Sequence, residues 1–446
     1  MRQEIKQLLW IVLGFAPLYV SAQEGRRVTL QECIALAREK NPSMEIARAR
    51  IAGANAKAEE ASSLMLPQVK LTGRAATLSS VPEFKLPFTL PGIGQPVLFE
   101  SITENYSLKL SLTQPVFTGF RLQKNKAMAE MTAQAAGEEL KRDQADLLLQ
   151  IANIYWNLVR AREIETVLTQ SVGQINAHLT DVRNVSRQGM ATEAEVMKVQ
   201  VQLSDVKVKL IEAKNAVKVF TMTMNSLISQ PLENPLIPAE SAAAADRDWL
   251  ANRQLSDLIS LAHRQRPELK ALGIRKSIGE ASVDASRGGW YPQVSLAANY
   301  DYAKPNSRIL PPKREWDGAW DIGLMVQWTV WDWFATEHQT NQAKAQLRQT
   351  EEGFRQTEDL IGIDVAQAYY SAQAAHEKVG VALEGVSQAE ESFRITKEKF
   401  RTGLISSTEL LDAEMALLQA KLTHIQSVID QVLAATRLKK ATGDLQ

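Results

Sequence analysis

The side chains that most often carry chemistry are few in this chain and far apart. Its five histidines, His178, His263, His338, His376 and His424, are scattered so that no two stand at the spacing by which a helix presents paired metal ligands, and each is expected to face solvent. The single cysteine, Cys33, excludes a disulfide framework or a cysteine-built metal site within one chain, and reads as a small apolar residue on a helix face. No glycine-rich phosphate loop and no nucleophile elbow is present. No enzyme activity, metal or cofactor is therefore expected. What remains is a pair of carboxylates, Glu409 and Asp412, three residues apart and so on one face of a helix. The plainer alternative is that they are solvated acids in an early helical turn, where negative charge suits the helix dipole.

The two acids follow a chain reversal. Residues 400–412 interrupt two long helical patterns: Gly403 can end the first in a left-handed C-cap without a Cβ clash, and Ser406 or Ser407 can cap the second. Residues 187–195 show the same design, with Gly189 standing 214 residues before Gly403. At that separation Tyr155 and Trp156 match Tyr369 and Tyr370, and Phe117 and Phe120 match Trp331 and Phe334. The chain thus reads as two copies of one long hairpin, at residues 23–230 and 255–446, joined by a linker at 231–254. The four paired aromatics lie beside the helix seams and are expected to pack there.

Length and charge narrow the reading. An internal duplication overrides the usual expectation of about three domains for 446 residues. Lysine plus arginine equals aspartate plus glutamate, 51 against 51, so no charge excess points to nucleic acid. Arg2 and Lys6 precede an apolar run over residues 8–20 and a small-residue site at Ser21 and Ala22, so residues 1–22 are expected to be a cleaved secretory signal. Beyond it no apolar run reaches about 18 residues, so a membrane-spanning part would have to be a β-barrel.

Four stretches alternate with the period of a strand, at about 67–79, 105–117, 292–303 and 317–331. Leu108, Leu110 and Leu112 share one face, as do Val294, Leu296, Ala298, Tyr300 and Tyr302, and Trp320, Ile322, Leu324 and Val326. Aromatics near the strand ends and a signal segment favour a lipid-facing sheet over one on a soluble core. Four strands cannot close a barrel, so other copies must complete it: a dimer gives eight strands around a filled interior, a trimer twelve with room for a passage. The trimer is the preferred reading.

Each second strand leads into a proline-free helix, over residues 120–187 and 334–401, each about 68 residues or about 100 Å long. Heptad seams run along both, and along the shorter helices expected at 191–229 and 406–441. The expected fold is mainly α, with a four-stranded β section per chain and duplicated long-helix hairpins.

Duplicated order of helix, strand, strand, helix and helix, with a glycine hinge in each copy, resembles the TolC-type outer-membrane channels of efflux pumps and type I secretion over essentially the whole chain. The resemblance implies a homotrimer whose 12-stranded barrel continues into an α-helical barrel through the periplasm. It implies a passive export conduit in the bacterial outer membrane, working with a periplasmic adaptor protein and an inner-membrane pump of RND or ABC type. It places an acidic selectivity ring at Glu409 and Asp412, six and nine positions after the second glycine; threefold repetition would gather six carboxylates in a narrow passage and favour cations. It places gate residues at Phe400, where the family has tyrosine, and at Ile405, where it has arginine, with Glu195 the matched acid of the first copy. These departures remove the hydrogen bonds of the family's closed gate. Adaptor contact is implied at the hairpin tips: Arg187, Gly189, Met190, Thr192, Arg401, Gly403, Leu404 and Ser406. The competing reading is a soluble periplasmic coiled-coil or adaptor protein, which would not require detergent.

Overall fold

A computed structural model describes residues 26–85, 87–89, 91–92, 95, 97–99, 101–241 and 253–445. The expected signal segment at 1–22, and residues 242–252 of the expected linker, lie outside the described residues. The described chain folds as two compact units.

One unit, made of residues 42–149, 249–374 and 434–446, is built on an antiparallel sheet. Its strands are β2 (Gln68–Thr77), β5 (Glu104–Phe117), β7 (Gln293–Lys304) and β8 (Asp317–Gln327), in the order β2-β5-β7-β8. The strands β3 (Phe84–Lys85) and β4 (Val97–Phe99) pair within the loop joining β2 to β5. Register aligns the apolar positions across all four long strands: Leu71 faces Leu110, Leu110 faces Tyr300, and Tyr300 faces Trp320. The next row on that face is Val69, Leu112, Ala298 and Ile322. Side chains alternate across a pleated strand, so the intervening row, Lys70, Ser111, Asn299 and Asp321, lies on the opposite face, where Asn299 donates to Asp321 (2.9 Å), as does the row beyond, where Lys109 and Asp301 pair at 3.9 Å.

Strand β8 ends at Gln327, four residues short of the expected 331. The Asp332 carboxylate accepts hydrogen bonds from the Thr336 amide (2.9 Å) and hydroxyl (2.6 Å), and Trp333 and Phe334 take positive φ angles of 54° and 64°. The turn that starts the next helix therefore begins directly after the expected end of the strand, and residues 328–331 lead into it outside the ladder. Where the matching junction at Gly119 (φ 63°) meets Gly288, a Cβ on Gly119 would lie 2.3 Å from the Gly288 carbonyl oxygen, so only glycine permits that approach. Helices α2 (Pro42–Ser63), α5 (Leu255–Gln265) and α6 (Pro267–Arg287) also belong to this unit. Pro42 and Pro267 stand at first helical positions, where a missing amide costs no hydrogen bond.

The other unit, residues 1–41, 150–248 and 375–433, holds β1 (Arg26–Val28), α1 (Leu30–Lys40), α4 (Glu193–Leu227) and β6 (Leu236–Pro238). It also takes the C-terminal parts of the two 67-residue helices, α3 (Arg121–Arg187) and α7 (Ala335–Arg401), and most of α8 (Ser407–Ala441). Its core is a seam of Leu168, Ile175, Leu179 and Val182 on α3, Val196, Val199, Leu203 and Val206 on α4, and Leu411 and Leu418 on α8. That spacing of three and four is the coiled-coil period.

The expected linker contains a strand: β6 pairs in parallel with β1. Buried Tyr155 fastens this ribbon, donating to the Val28 carbonyl (3.1 Å) and accepting from the Ala239 amide (3.2 Å). Trp156 is buried beside it, as expected, whereas its counterpart in the second copy, Tyr370, is exposed.

Candidate functional site at the helix tips

The two chain reversals are built alike. After α3, the Gly189 amide donates to Ser186 (2.9 Å) and the Met190 amide to Val185 (3.1 Å), with Gly189 at φ 79°. After α7, the Gly403 amide donates to Phe400 (3.0 Å) and the Leu404 amide to Lys399 (3.0 Å), with Gly403 at φ 73°. Both are paired C-cap bonds that satisfy otherwise orphaned helix carbonyls. The following helices start on matched caps. Thr192 accepts from the Glu195 amide (3.3 Å) while the Glu195 carboxylate accepts from the Thr192 amide (2.9 Å). Ser406 accepts from the Glu409 amide (3.4 Å) and donates to the Glu409 carboxylate (3.3 Å). Of the two serines that could cap α8, Ser406 does so.

This arrangement sorts the expected residues. Phe400, Ile405 and Glu195 line one groove of about 550 Å³, together with Met190, Arg401, Gly403 and Ser406. The three gate positions are therefore neighbours, although about two hundred residues separate Glu195 from the others in sequence. Glu409 and Asp412 are exposed on α8 and do not line that groove, and the Glu409 carboxylate is already engaged in its cap. Arg187, Thr192 and Leu404 stand exposed on the turns, as does Met190. Phe400 packs against the shared core from its last turn of α7.

One expectation fails in this unit. His178 does not face solvent: it is 3 % exposed, with Nδ1 3.0 Å from Glu414 Oε2 and Nε2 3.1 Å from Ser407 Oγ. The sequence held a signal for this. His178 immediately precedes the seam residue Leu179, and Glu414 immediately precedes the seam residue Met415, so both flank facing seams where a coiled coil half-covers its polar residues. Among the described residues, no group of three or more His, Cys, Asp or Glu is placed to hold a metal ion, and no helix is long and apolar enough to cross a membrane.

A model of the outer membrane efflux protein family matches residues 33–227 and 258–444. The outer membrane efflux protein BepC of Brucella suis is 23% identical over 334 residues, which cover 75% of this chain and 71% of that relative. Protein CyaE of Bordetella pertussis is 23% identical over 424 residues, 94% of this chain and 84% of that protein. Among solved structures, the outer membrane protein VceC of Vibrio cholerae superposes with a TM-score of 0.75 at 19% identity, covering 93% of this chain and 96% of that one. CusC superposes with a TM-score of 0.79 at 14% identity, covering 94% and 93%. The fold is thus that of TolC-type channels.

Proposed function

The chain belongs to the outer membrane efflux protein family, whose members are transport channels of the outer membrane rather than enzymes, and on that premise we propose how it works. It is a passive conduit through which substrates leave the cell, in a tripartite efflux or type I secretion system. The observation that carries the reading is the continuous exposed row Leu71, Leu110, Tyr300 and Trp320. A sheet with that face suits lipid, yet its edge strands β2 and β8 carry unpaired backbone groups that lipid cannot satisfy. Pairing β8 of one copy with β2 of the next removes both edges, and the antiparallel order permits it because β2 and β8 run in opposite directions. Three copies give a 12-stranded barrel wide enough for a lumen.

The helical hairpins then extend into the periplasm, and their tips meet an adaptor protein coupled to an inner-membrane RND or ABC pump. Exposed Met190 and Leu404 supply an apolar contact at the tips, with Arg187, Thr192, Arg401 and Ser406 around it. Phe400 and Ile405 constrict the periplasmic end by packing, and Asp412 with Glu409 lends the passage a preference for cations.

Purified full-length protein tests the reading. It should require detergent, run as a trimer and form ion-conducting pores in planar bilayers. A monomer stable in plain buffer would instead establish a soluble coiled-coil protein.

A further inference from the structure

The conduit reading leaves three buried polar side chains of the tip unit without a role: His178, Ser407 and Glu414, which are 3 %, 4 % and 8 % exposed. They form one chain of hydrogen bonds. In the neutral tautomer that satisfies both partners, Nδ1 donates to the Glu414 carboxylate, which only accepts, and Nε2 accepts from the Ser407 hydroxyl. The same ring stands edge-on to Phe400, with centroids 5.4 Å apart and planes at 69°. Phe400 lies in the last turn of α7, Ser407 is the first residue of α8, and Glu414 lies two turns further along it. One side chain of the first hairpin therefore grips both arms of the second hairpin, on either side of the Gly403 turn.

We infer that His178, Ser407 and Glu414 form a clasp that sets the tip of the second hairpin against the first, and through it the aperture of the conduit's periplasmic end. The inference rests on the conduit reading above. Three observations support it. Neither Phe400 nor Ile405 has a side chain that can hydrogen-bond, so any polar hold on this tip must come from elsewhere. Grooves of about 550 and 690 Å³ border Phe400, so the chain's own packing leaves those sides of the tip open. Apolar seams tolerate sliding, whereas a buried polar network accepts one register: displacing α8 would strand the Glu414 carboxylate without its partner. His178 is thus a positioning residue, acting on the passage through Phe400 and α8.

The clasp can be separated from ordinary packing. His178→Phe combined with Glu414→Met keeps volume and the contact with Phe400 while leaving no unpaired buried charge. Ser407→Ala removes one hydroxyl without touching the α8 cap, which Ser406 supplies, and Ser407→Thr restores a hydroxyl. Full-length trimers of each, reconstituted in planar bilayers, are compared with wild type for open probability and for the melting temperature of the trimer. The double variant is expected to shift the equilibrium toward open by about tenfold, the scale of one hydrogen bond to a charged group, and Ser407→Ala by about fivefold, the scale of one between neutral groups. Ser407→Thr should behave as wild type, and the trimers should melt alike. Wild-type gating in the double variant and in Ser407→Ala would overturn the clasp, as would Ser407→Thr opening as far as Ser407→Ala. Should the double variant fail to assemble, the Ser407 pair decides alone. A wild-type trimer that forms no pore would instead remove the conduit reading itself.

Discussion

Tyr300 of β7 stands directly opposite Trp320 of β8, and both side chains are exposed on the same face as Leu110 and Leu71. In a bilayer that row would lie against lipid, and its neighbours one residue away would line the interior.

Charge should therefore be tolerated on one face only. Leu110→Arg is expected to destabilise the membrane-inserted protein by about 2–4 kcal/mol if it lies near the bilayer midplane, whereas Ser111→Arg, on the opposite face, should cost far less. Denaturant titration of bilayer-folded protein measures both. Equal costs would show that the sheet is not one-sided.

The acidic pair can be dissected because only one of its members caps a helix. Asp412→Asn removes charge and leaves the Ser406–Glu409 cap untouched, while Glu409→Gln keeps a capping side chain at the same position. Both together should weaken cation preference and cation block in single-channel recordings with no change in trimer stability. Unaltered selectivity would mean that the two are ordinary first-turn acids.

Gly403 holds φ at 73° with nothing within 4 Å of where a Cβ would stand, so its substitution tests backbone strain alone. Gly403→Ala should loosen the tip by about 1 kcal/mol, and Gly403→Asn by less, because asparagine tolerates the left-handed region. Amide exchange at Leu404, whose amide bonds Lys399, reports it. Slower exchange in Gly403→Ala than in wild type would contradict this.

Burial, with Glu240 and Glu32 nearby, pushes the Cys33 thiol from its usual 9.0 up to about 11. The folded chain thus keeps a proton that the unfolded chain releases, so this group's contribution to stability is intact below about pH 9 and is lost as pH rises toward about 11. Cys33→Ala should flatten the decline of stability over that window, read by melting temperature. Reaction of Cys33 with a thiol reagent should await unfolding, and rapid labelling of native protein at neutral pH would refute its burial.

Periodicity is a local property, and it made the repeats, the seams and the strand faces legible in advance. Leu168, Ile175 and Leu179 announce a buried stripe by spacing alone, as Leu108 and Leu110 announce a strand face. The glycines announce their turns, since few other residues accept a positive φ there. Boundaries were less legible. Residues 328–331 alternate well enough to extend β8, but the ladder ends at Gln327 and these residues lead into the Asp332 cap.

What sequence alone determined was the order of the long helices and the four long strands, which face of each is apolar, and where the chain reverses, because these follow from side-chain period and backbone sterics. Only tertiary structure decided which distant residues meet. Local pattern places His178 and Glu414 beside facing seams, but it does not say that they would meet each other and Ser407, that Tyr155 would hold the ribbon of β1 and β6, or that Glu195 would share a groove with Phe400. Those meetings depend on how one helix is rotated and shifted against another, a choice made by the sum of many apolar contacts and read only when the helices are packed.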